Sequence, residues 1–278
     1  MKKFLLLYLF VMIGFAGFSQ NAEAPVSIIP EPVNLVQGTG HYTLPGQISI
    51  DIPDLPELKE TALLLGQKLA VTGKSVTVTN NPQTASIHFI LNRKEDKPLG
   101  NEGYTLSVKS TGITIKANKA AGLFYGLQTL LQLLPKEIES SKPVTDIAWN
   151  VPVVEITDYP RFGWRGLMFD VARHFFTKDE VKDFIDNMAR YKFNLLHMHL
   201  TDDEGWRIEI KSLPRLTSVG AWNVKRVGYF GTFDKPSPDE PRTYGGFYTQ
   251  DDIRELVKYA KDRFVDIMPE VDIPGHSM

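Results

Sequence analysis

At 278 residues, 42% apolar and 11% aromatic, the chain has the length of about two domains at roughly 150 residues each and enough apolar surface to exclude wholesale disorder. Lys and Arg (31) balance Asp and Glu (33) to a formal charge of −2, so there is no basic excess of the kind that neutralises a phosphate backbone, and no nucleic-acid partner is expected. The absence of cysteine excludes disulfides, iron–sulfur clusters, thiolate zinc sites and a cysteine nucleophile, which leaves carboxylates, histidines, hydroxyls and arginines to carry any chemistry.

The amino terminus has the pattern of an export signal. Lys2 and Lys3 form a charged start, Phe4 to Phe15 an apolar stretch, and Gly17-Phe18-Ser19 a small-x-small cleavage site. A signal peptide over residues 1–19 is therefore expected, with a mature protein in the periplasm or outside the cell. The apolar run is about a dozen residues where a bilayer span needs about 20, and no later segment is long and apolar enough, so no membrane contact is expected after cleavage. No cysteine stands at the cleavage point to carry a lipid anchor, and an exported chain without disulfides suits a bacterial periplasm.

Residues 20–155 are expected to form an α+β domain. Leu58 to Leu69 is a leucine-rich helix bounded by Pro56 and Gly73, and Ser75 to Val78 and Ile87 to Leu91 are short strands. Tyr104, Leu106 and Val108 alternate with polar residues, the Ser110-Thr111-Gly112 turn follows, and Ile113 and Ile115 alternate again, the pattern of a hairpin with one buried face. Ala120, Leu123, Phe124, Leu127, Leu130, Leu131 and Leu134 recur at helical spacing until Pro135 stops the run. No catalytic constellation lies in this half, which reads as an accessory domain. Glu137 to Val151, rich in Ser, Pro and Asp, reads as a linker.

Residues 156–278 change to strand–helix units. Trp164 to Asp170 is a strand; Thr177 with Glu180 three residues on is a capping box opening a helix whose apolar face is Val181, Phe184, Ile185 and Met188. Asn194 to Leu200 is a second strand. After a Gly- and Pro-containing loop, Thr249 caps a helix striped by Ile253, Leu256, Val257 and Ala260, and Val265 to Val271 is a third strand. Such alternation predicts a parallel sheet with right-handed crossovers.

Ionisable residues gather where these strands end, the place where parallel α/β folds put their sites. The first strand runs into Asp170, Arg173 and His174, the second into His197, His199, Asp202, Asp203, Glu204 and Arg207, and the third into Glu270, Asp272 and His276. One reading of His197 and His199 is metal ligation, since alternate strand residues share a face and imidazole suits zinc; Asp202 or His276 would complete the site of a metal-dependent hydrolase. The other is that both are hydrogen-bonded within a packed interior. Arg173 could equally be no more than an ion-pair partner of Asp170.

Three runs, Trp164 to Phe176, Lys192 to Glu209 and Pro269 to His276, together resemble the β-N-acetylhexosaminidases of glycoside hydrolase family 20. The first half, with Pro30-Glu31-Pro32 and the Gly122 to Leu130 helix, is similar to the α+β domain that precedes that family's catalytic barrel. The resemblance implies an α+β accessory domain followed by the first part of a (β/α)8 TIM barrel, and an enzyme that removes terminal non-reducing β-linked N-acetylhexosamine (GlcNAc or GalNAc) from glycan ends. It implies no cofactor and no metal. Catalysis would be substrate-assisted and retaining, with the sugar's 2-acetamido oxygen attacking the anomeric carbon. Arg173 matches the arginine that binds hydroxyls of the terminal sugar, and Asp202 and His276 match a supporting pair in which carboxylate orients imidazole and imidazole tunes the acid. Asp203, Glu270 and Asp272 read as strand-end scaffold. Glu204 departs from the family, whose members commonly carry Gln there, and the Val224 to Gly245 loop is long.

In that family the acid Glu and its Asp neighbour stand in a His-x-Gly-Gly-Asp-Glu context at the end of the fourth strand, and residues 1–278 do not contain it. Asp179-Glu180, Asp203-Glu204 and Asp239-Glu240 lack that context. About 120 residues follow Asp158, against about 250 for a complete barrel. The expectation is a chain cut short of its catalytic pair, silent in turnover by itself while its parent protein is a hydrolase; a non-catalytic carbohydrate-binding protein is the other possibility. Nothing in the composition specifies an oligomeric state.

Overall fold

The structure, a computed structural model, describes residues 25–79, 81–225 and 237–276. The export signal and the middle of the long loop lie outside the described residues.

The first unit is a mixed seven-stranded sheet under two helices. Its elements are β1 (Asn34–Thr43), β2 (Gln47–Asp51), α1 (Pro56–Ala70), β3 (Ser75–Thr79), β4 (Ile87–Leu91), β5 (Tyr104–Lys109), β6 (Gly112–Ala117), α2 (Ala120–Leu133) and β7 (Asn150–Asp158). Spatial order is β1-β7-β5-β6-β4-β2-β3. The β5–β6 hairpin pairs Val108 with Ile113 and Leu106 with Ile115, so the alternation in sequence becomes one fully buried face. Pro56 sits in the first turn of α1, where its missing N–H costs nothing. Helix α2 is buried on nearly every side because it lies between the sheet and the second unit: Phe124 packs against Phe264, ring centroids 5.2 Å apart.

The stretch expected as a linker is instead packed. Ile138 and Trp149 are buried, the Trp149 indole N–H donates to the Val144 carbonyl at 3.1 Å, and β7 begins at Asn150 and pairs on both sides, with β1 and β5. Its Ser, Pro and Asp content reflects short turns between buried anchors. The sheet runs past residue 155 to Asp158.

The second unit comprises β8 (Gly166–Asp170), α3 (Lys178–Arg190), β9 (Leu195–His199), a small hairpin of β10 (Thr201–Asp202) and β11 (Gly205–Trp206), one helical turn α4 (Arg215–Ser218), the bridge pair β12 (Trp222–Asn223) and β13 (Tyr244–Gly245), then α5 (Gln250–Lys261) and β14 (Asp266–Glu270). β8, β9 and β14 are parallel neighbours in chain order. The expected capping box of Thr177 with Glu180 is present, and the expected Thr249 cap proves to be a capping box as well, with Asp252. Helices α3 and α5 cover one sheet face through Val181, Ile185, Met188, Leu256 and Ala260, which bury Leu196 and Met198 beneath them. They also touch each other, Lys178 reaching Asp252 at 2.8 Å and Glu255 at 2.7 Å. The opposite residues of each strand, Met168, His197 and Met268, then Asp170, His199 and Glu270, stand in two level rows on the other face.

The units share one continuous core and a buried polar lock. Lys192, whose backbone takes a left-handed φ of 63° after α3, donates from Nζ to Asp158 and to the Tyr104 hydroxyl, both at 2.8 Å. Arg165 meets Glu102 through both terminal nitrogens, at 2.8 and 3.1 Å. Among the described residues no helix is long and apolar enough to cross a membrane.

Candidate functional site

The parallel register sets the site. Asp170, His199 and Glu270 are paired residues in the last row of β8, β9 and β14, so three ionisable groups that are far apart in sequence lie side by side. Asp170 turns the chain after β8: its Oδ1 accepts the N–H groups of Ala172 at 3.1 Å and Arg173 at 3.0 Å. That turn returns the Arg173 guanidinium over the strand ends. Nη1 meets Asp170 Oδ2 at 2.7 Å and Nη2 meets Asp202 Oδ2 at 2.7 Å, while 36% of the side chain stays exposed. Arg173 is thus more than a partner of Asp170; it spans two carboxylates.

Asp202 is the buried centre, with 3% of its side chain exposed. Its Oδ2 also faces His199 Nε2 at 2.7 Å, and its Oδ1 accepts the Asp203 N–H at 2.8 Å and faces His276 Nδ1 at 3.3 Å. Burial alone would raise its pKa; His199, the Asp203 N–H, Arg173 and His276 outweigh that and hold the carboxyl below the usual range. The expected pair of Asp202 and His276 is therefore brought together with Arg173 at one point, although 74 residues separate Asp202 from His276.

On the far side of His199, Nδ1 lies 2.9 Å from Glu270 Oε1, and the other Glu270 oxygen contacts His197 Nε2. Ligand atoms of His199, Glu270 and Asp272 lie within 4.8 Å of one another, a grouping that does not include His197. Of the two readings of His197 and His199, the contacts favour the hydrogen-bonded one: Arg173, Asp202, His199, Glu270 and His197 form a chain of contacts in which each imidazole faces a carboxylate. The residue the sequence undervalued is His199, which reads there as a candidate ligand or a hydrogen-bonded interior residue without a named partner; its spacing of three from Asp202 is the signal that could have paired them.

Glu204 sits in the tight turn between β10 and β11, with Oε2 buried and without a hydrogen-bond partner among the described residues. Burial, reinforced by the neighbouring Asp202, raises its pKa.

Arg207, unremarked in the sequence beyond its charge, is fully buried. It donates to the carbonyls of Val171 (3.0 Å), Ala172 (2.7 Å), Ala221 (2.6 Å) and Gly246 (3.1 Å), knotting the loop that carries Arg173 to the residues on either side of the β12–β13 pair. Glycine is obligatory beside it. A Cβ on Gly205 would stand 2.2 Å from the Arg207 Cζ, and one on Gly245, at φ 145°, 2.0 Å from the Ala221 carbonyl. Tyr244 closes the same side through a hydroxyl contact with His174 Nδ1.

An Arg–Asp–His cluster at the carboxyl ends of consecutive parallel strands, behind an α+β layer, places the chain among α/β proteins that receive polar ligands at that end. Comparison with known proteins narrows the class. Residues 25–159 match the model described as glycosyl hydrolase family 20, domain 2, and residues 162–278 that of the family's catalytic domain. The chain belongs to glycoside hydrolase family 20. It is 40% identical over 256 residues to a β-hexosaminidase of Porphyromonas gingivalis, covering 91% of this chain and 31% of the relative. With a β-hexosaminidase of Vibrio furnissii it shares 45% identity over 255 residues, 91% of this chain and 38% of the relative. A variant of the Streptomyces plicatus β-hexosaminidase, solved with its product GlcNAc, superposes with a TM-score of 0.80 at 40% identity, over 91% of this chain and 47% of that one. The chain thus spans between about a third and a half of the length of these relatives.

Proposed function

We propose that the protein is a glycoside hydrolase that removes terminal non-reducing β-linked N-acetylhexosamine from glycan ends by substrate-assisted retaining catalysis, and that this chain supplies the sugar-holding side of its site. The observation that carries the reading is the Arg173 guanidinium at the strand ends, held at 2.7 Å from both Asp170 and Asp202 while 36% of its side chain is exposed. A planar guanidinium held in place by two carboxylates can meet adjacent hydroxyls of a pyranose in a single geometry.

In the reaction the 2-acetamido oxygen bonds to the anomeric carbon as the bond to the leaving oxygen breaks, and a general acid delivers a proton to that oxygen. Water then opens the oxazolinium, with configuration retained. Asp202 and His276 form the support for the acid: the carboxylate orients the imidazole, which holds or passes charge to the group beyond it. The acid and its Asp neighbour belong to the His-x-Gly-Gly-Asp-Glu context, which residues 1–278 do not contain. Strands β8, β9 and β14, adjacent in chain order with their helices packed on one face, are the winding expected of the first strands of a (β/α)8 barrel. The export pattern of residues 1–19 supports a location in the periplasm or outside the cell.

The test is calorimetric binding of N-acetylglucosamine to the 278-residue chain and to Arg173→Lys. Binding at millimolar sugar is expected, weakened about tenfold by the substitution, because lysine offers a point charge in place of a fork. Release of nitrophenol from an aryl N-acetyl-β-glucosaminide by the gene's full product checks the reaction itself. Binding that ignores Arg173, or a full product without turnover, would overturn the assignment.

A further inference from the structure

We propose that His199 is a constitutively charged positioning residue: an imidazolium that ties Asp202 to Glu270 and so fixes the carboxylate on which Arg173 and His276 converge. Nε2 faces Asp202 Oδ2 at 2.7 Å and Nδ1 faces Glu270 Oε1 at 2.9 Å. An ionised carboxylate only accepts. A neutral ring, in either tautomer, would leave an unprotonated nitrogen within 2.9 Å of a carboxylate oxygen inside a site where only 5% of the side chain is exposed. A doubly protonated ring sets positive charge against both carboxylates, as a hydrogen bond to Asp202 and as an ion-pair contact with Glu270.

The surroundings agree from every side. β8 contributes Asp170, in register with His199; β10 contributes Asp202 and β14 contributes Glu270; the segment after β14 contributes Asp272 and His276, whose ring centroid is 6.2 Å away. On its own strand, His197 reaches it only through Glu270. Arg173 is the cation across Asp202. Four carboxylates therefore surround one ring. Burial would lower the pKa of His199, but Asp202 first and Glu270 next reverse that and raise it.

The consequence concerns Asp202. Its Oδ2 is shared by Arg173 and His199, so a neutral His199 would free the carboxylate to follow the arginine and lose its register with His276. Glu270 takes a role in this chemistry without touching a ligand: it is the counter-charge that keeps the bridge protonated.

Long-range proton–nitrogen NMR of the 278-residue chain tests this directly. Both His199 nitrogens should carry protons at pH 6 and remain so well above the ordinary histidine value of about 6.5. Glu270→Gln should lower the His199 midpoint by about one unit; if that variant does not fold, Asp202→Asn reads the same shift from the other side of the ring. The second readout rests on the sugar-binding function proposed above: N-acetylglucosamine affinity of Glu270→Gln should fall about fivefold or more as pH rises through the lowered midpoint, while the wild type holds its affinity. A wild-type midpoint near 6.5, a bare nitrogen at pH 6, a midpoint unmoved by both variants, or loss of an N–H signal on adding zinc would each overturn the bridge. Absence of sugar binding alongside a doubly protonated His199 would overturn the proposed function and leave the bridge standing.

Discussion

Arg207 illustrates how one side chain can set the position of another it does not touch. Its donors satisfy four backbone carbonyls, and burial lowers its pKa, so the knot is held by dipoles and by the Phe175 face 5.6 Å from the guanidinium. Two of the acceptors, Val171 and Ala172, immediately precede Arg173. Arg207→Ala takes the side-chain donor from the Val171 and Ala172 carbonyls, each at a cost of about 1–3 kcal/mol before water enters the space, while Ala221 keeps its bond from the Gly246 N–H. The expected net loss is about 3 kcal/mol, seen as a lower urea midpoint at unchanged slope. Arg207→Lys should recover only part of it, because an ammonium lacks the fork that reaches four acceptors.

Among the elements, α5 depends on a cap that also joins it to α3. Thr249 Oγ1 accepts the Asp252 N–H at 3.1 Å, and the Asp252 carboxylate accepts the Thr249 N–H at 3.0 Å and Lys178 Nζ at 2.8 Å. Lys178 first, then Thr249, hold the Asp252 carboxyl down to about 2. A depressed carboxylate contributes stability that is fully present above its unfolded value of about 3.9 and is lost as pH falls toward the folded value. Asp252→Asn should therefore lower stability at pH 7 and flatten its decline between about pH 4 and pH 2, as measured by urea unfolding across that range. Thr249→Ala should cost about 1 kcal/mol without changing that pH slope to the same degree, since the Lys178 contact remains.

For the whole molecule, the two units stand or fall together. Asp158, at the end of β7, and Lys192, after α3, are an ion pair with only 11% and 8% of their side chains exposed, and the burial that lowers the pKa of Lys192 is partly offset by Asp158. Asp158→Ala strands the ammonium beneath Tyr104. The expected loss is about 3–5 kcal/mol, with Asp158→Asn intermediate because it keeps an acceptor. Urea unfolding followed by tryptophan fluorescence and by far-ultraviolet circular dichroism should give coincident transitions in the wild type. In Asp158→Ala the two should separate, since Trp149 reports the first unit while Trp164, Trp206 and Trp222 report the second.

What the sequence by itself determined was local. The period of the leucines gave α1 and α2, alternation gave the β5–β6 hairpin, and a capping box at Thr177 and a cap at Thr249 gave the starts of α3 and α5, because each of these signals is written within one turn or one strand. The motif-bearing strand ends were legible for the same reason. Tertiary structure decided the rest. β1, interrupted between Gln37 and His41 where its pairing shifts register, and β7, hidden in a Ser- and Pro-bearing stretch, exist because they pair with distant strands. The meeting of Arg173, Asp202 and His276, and the two carboxylates on either side of His199, follow from parallel register across β8, β9 and β14. Register is a relation between strands roughly 30 to 70 residues apart, and no local pattern in any one of them encodes it.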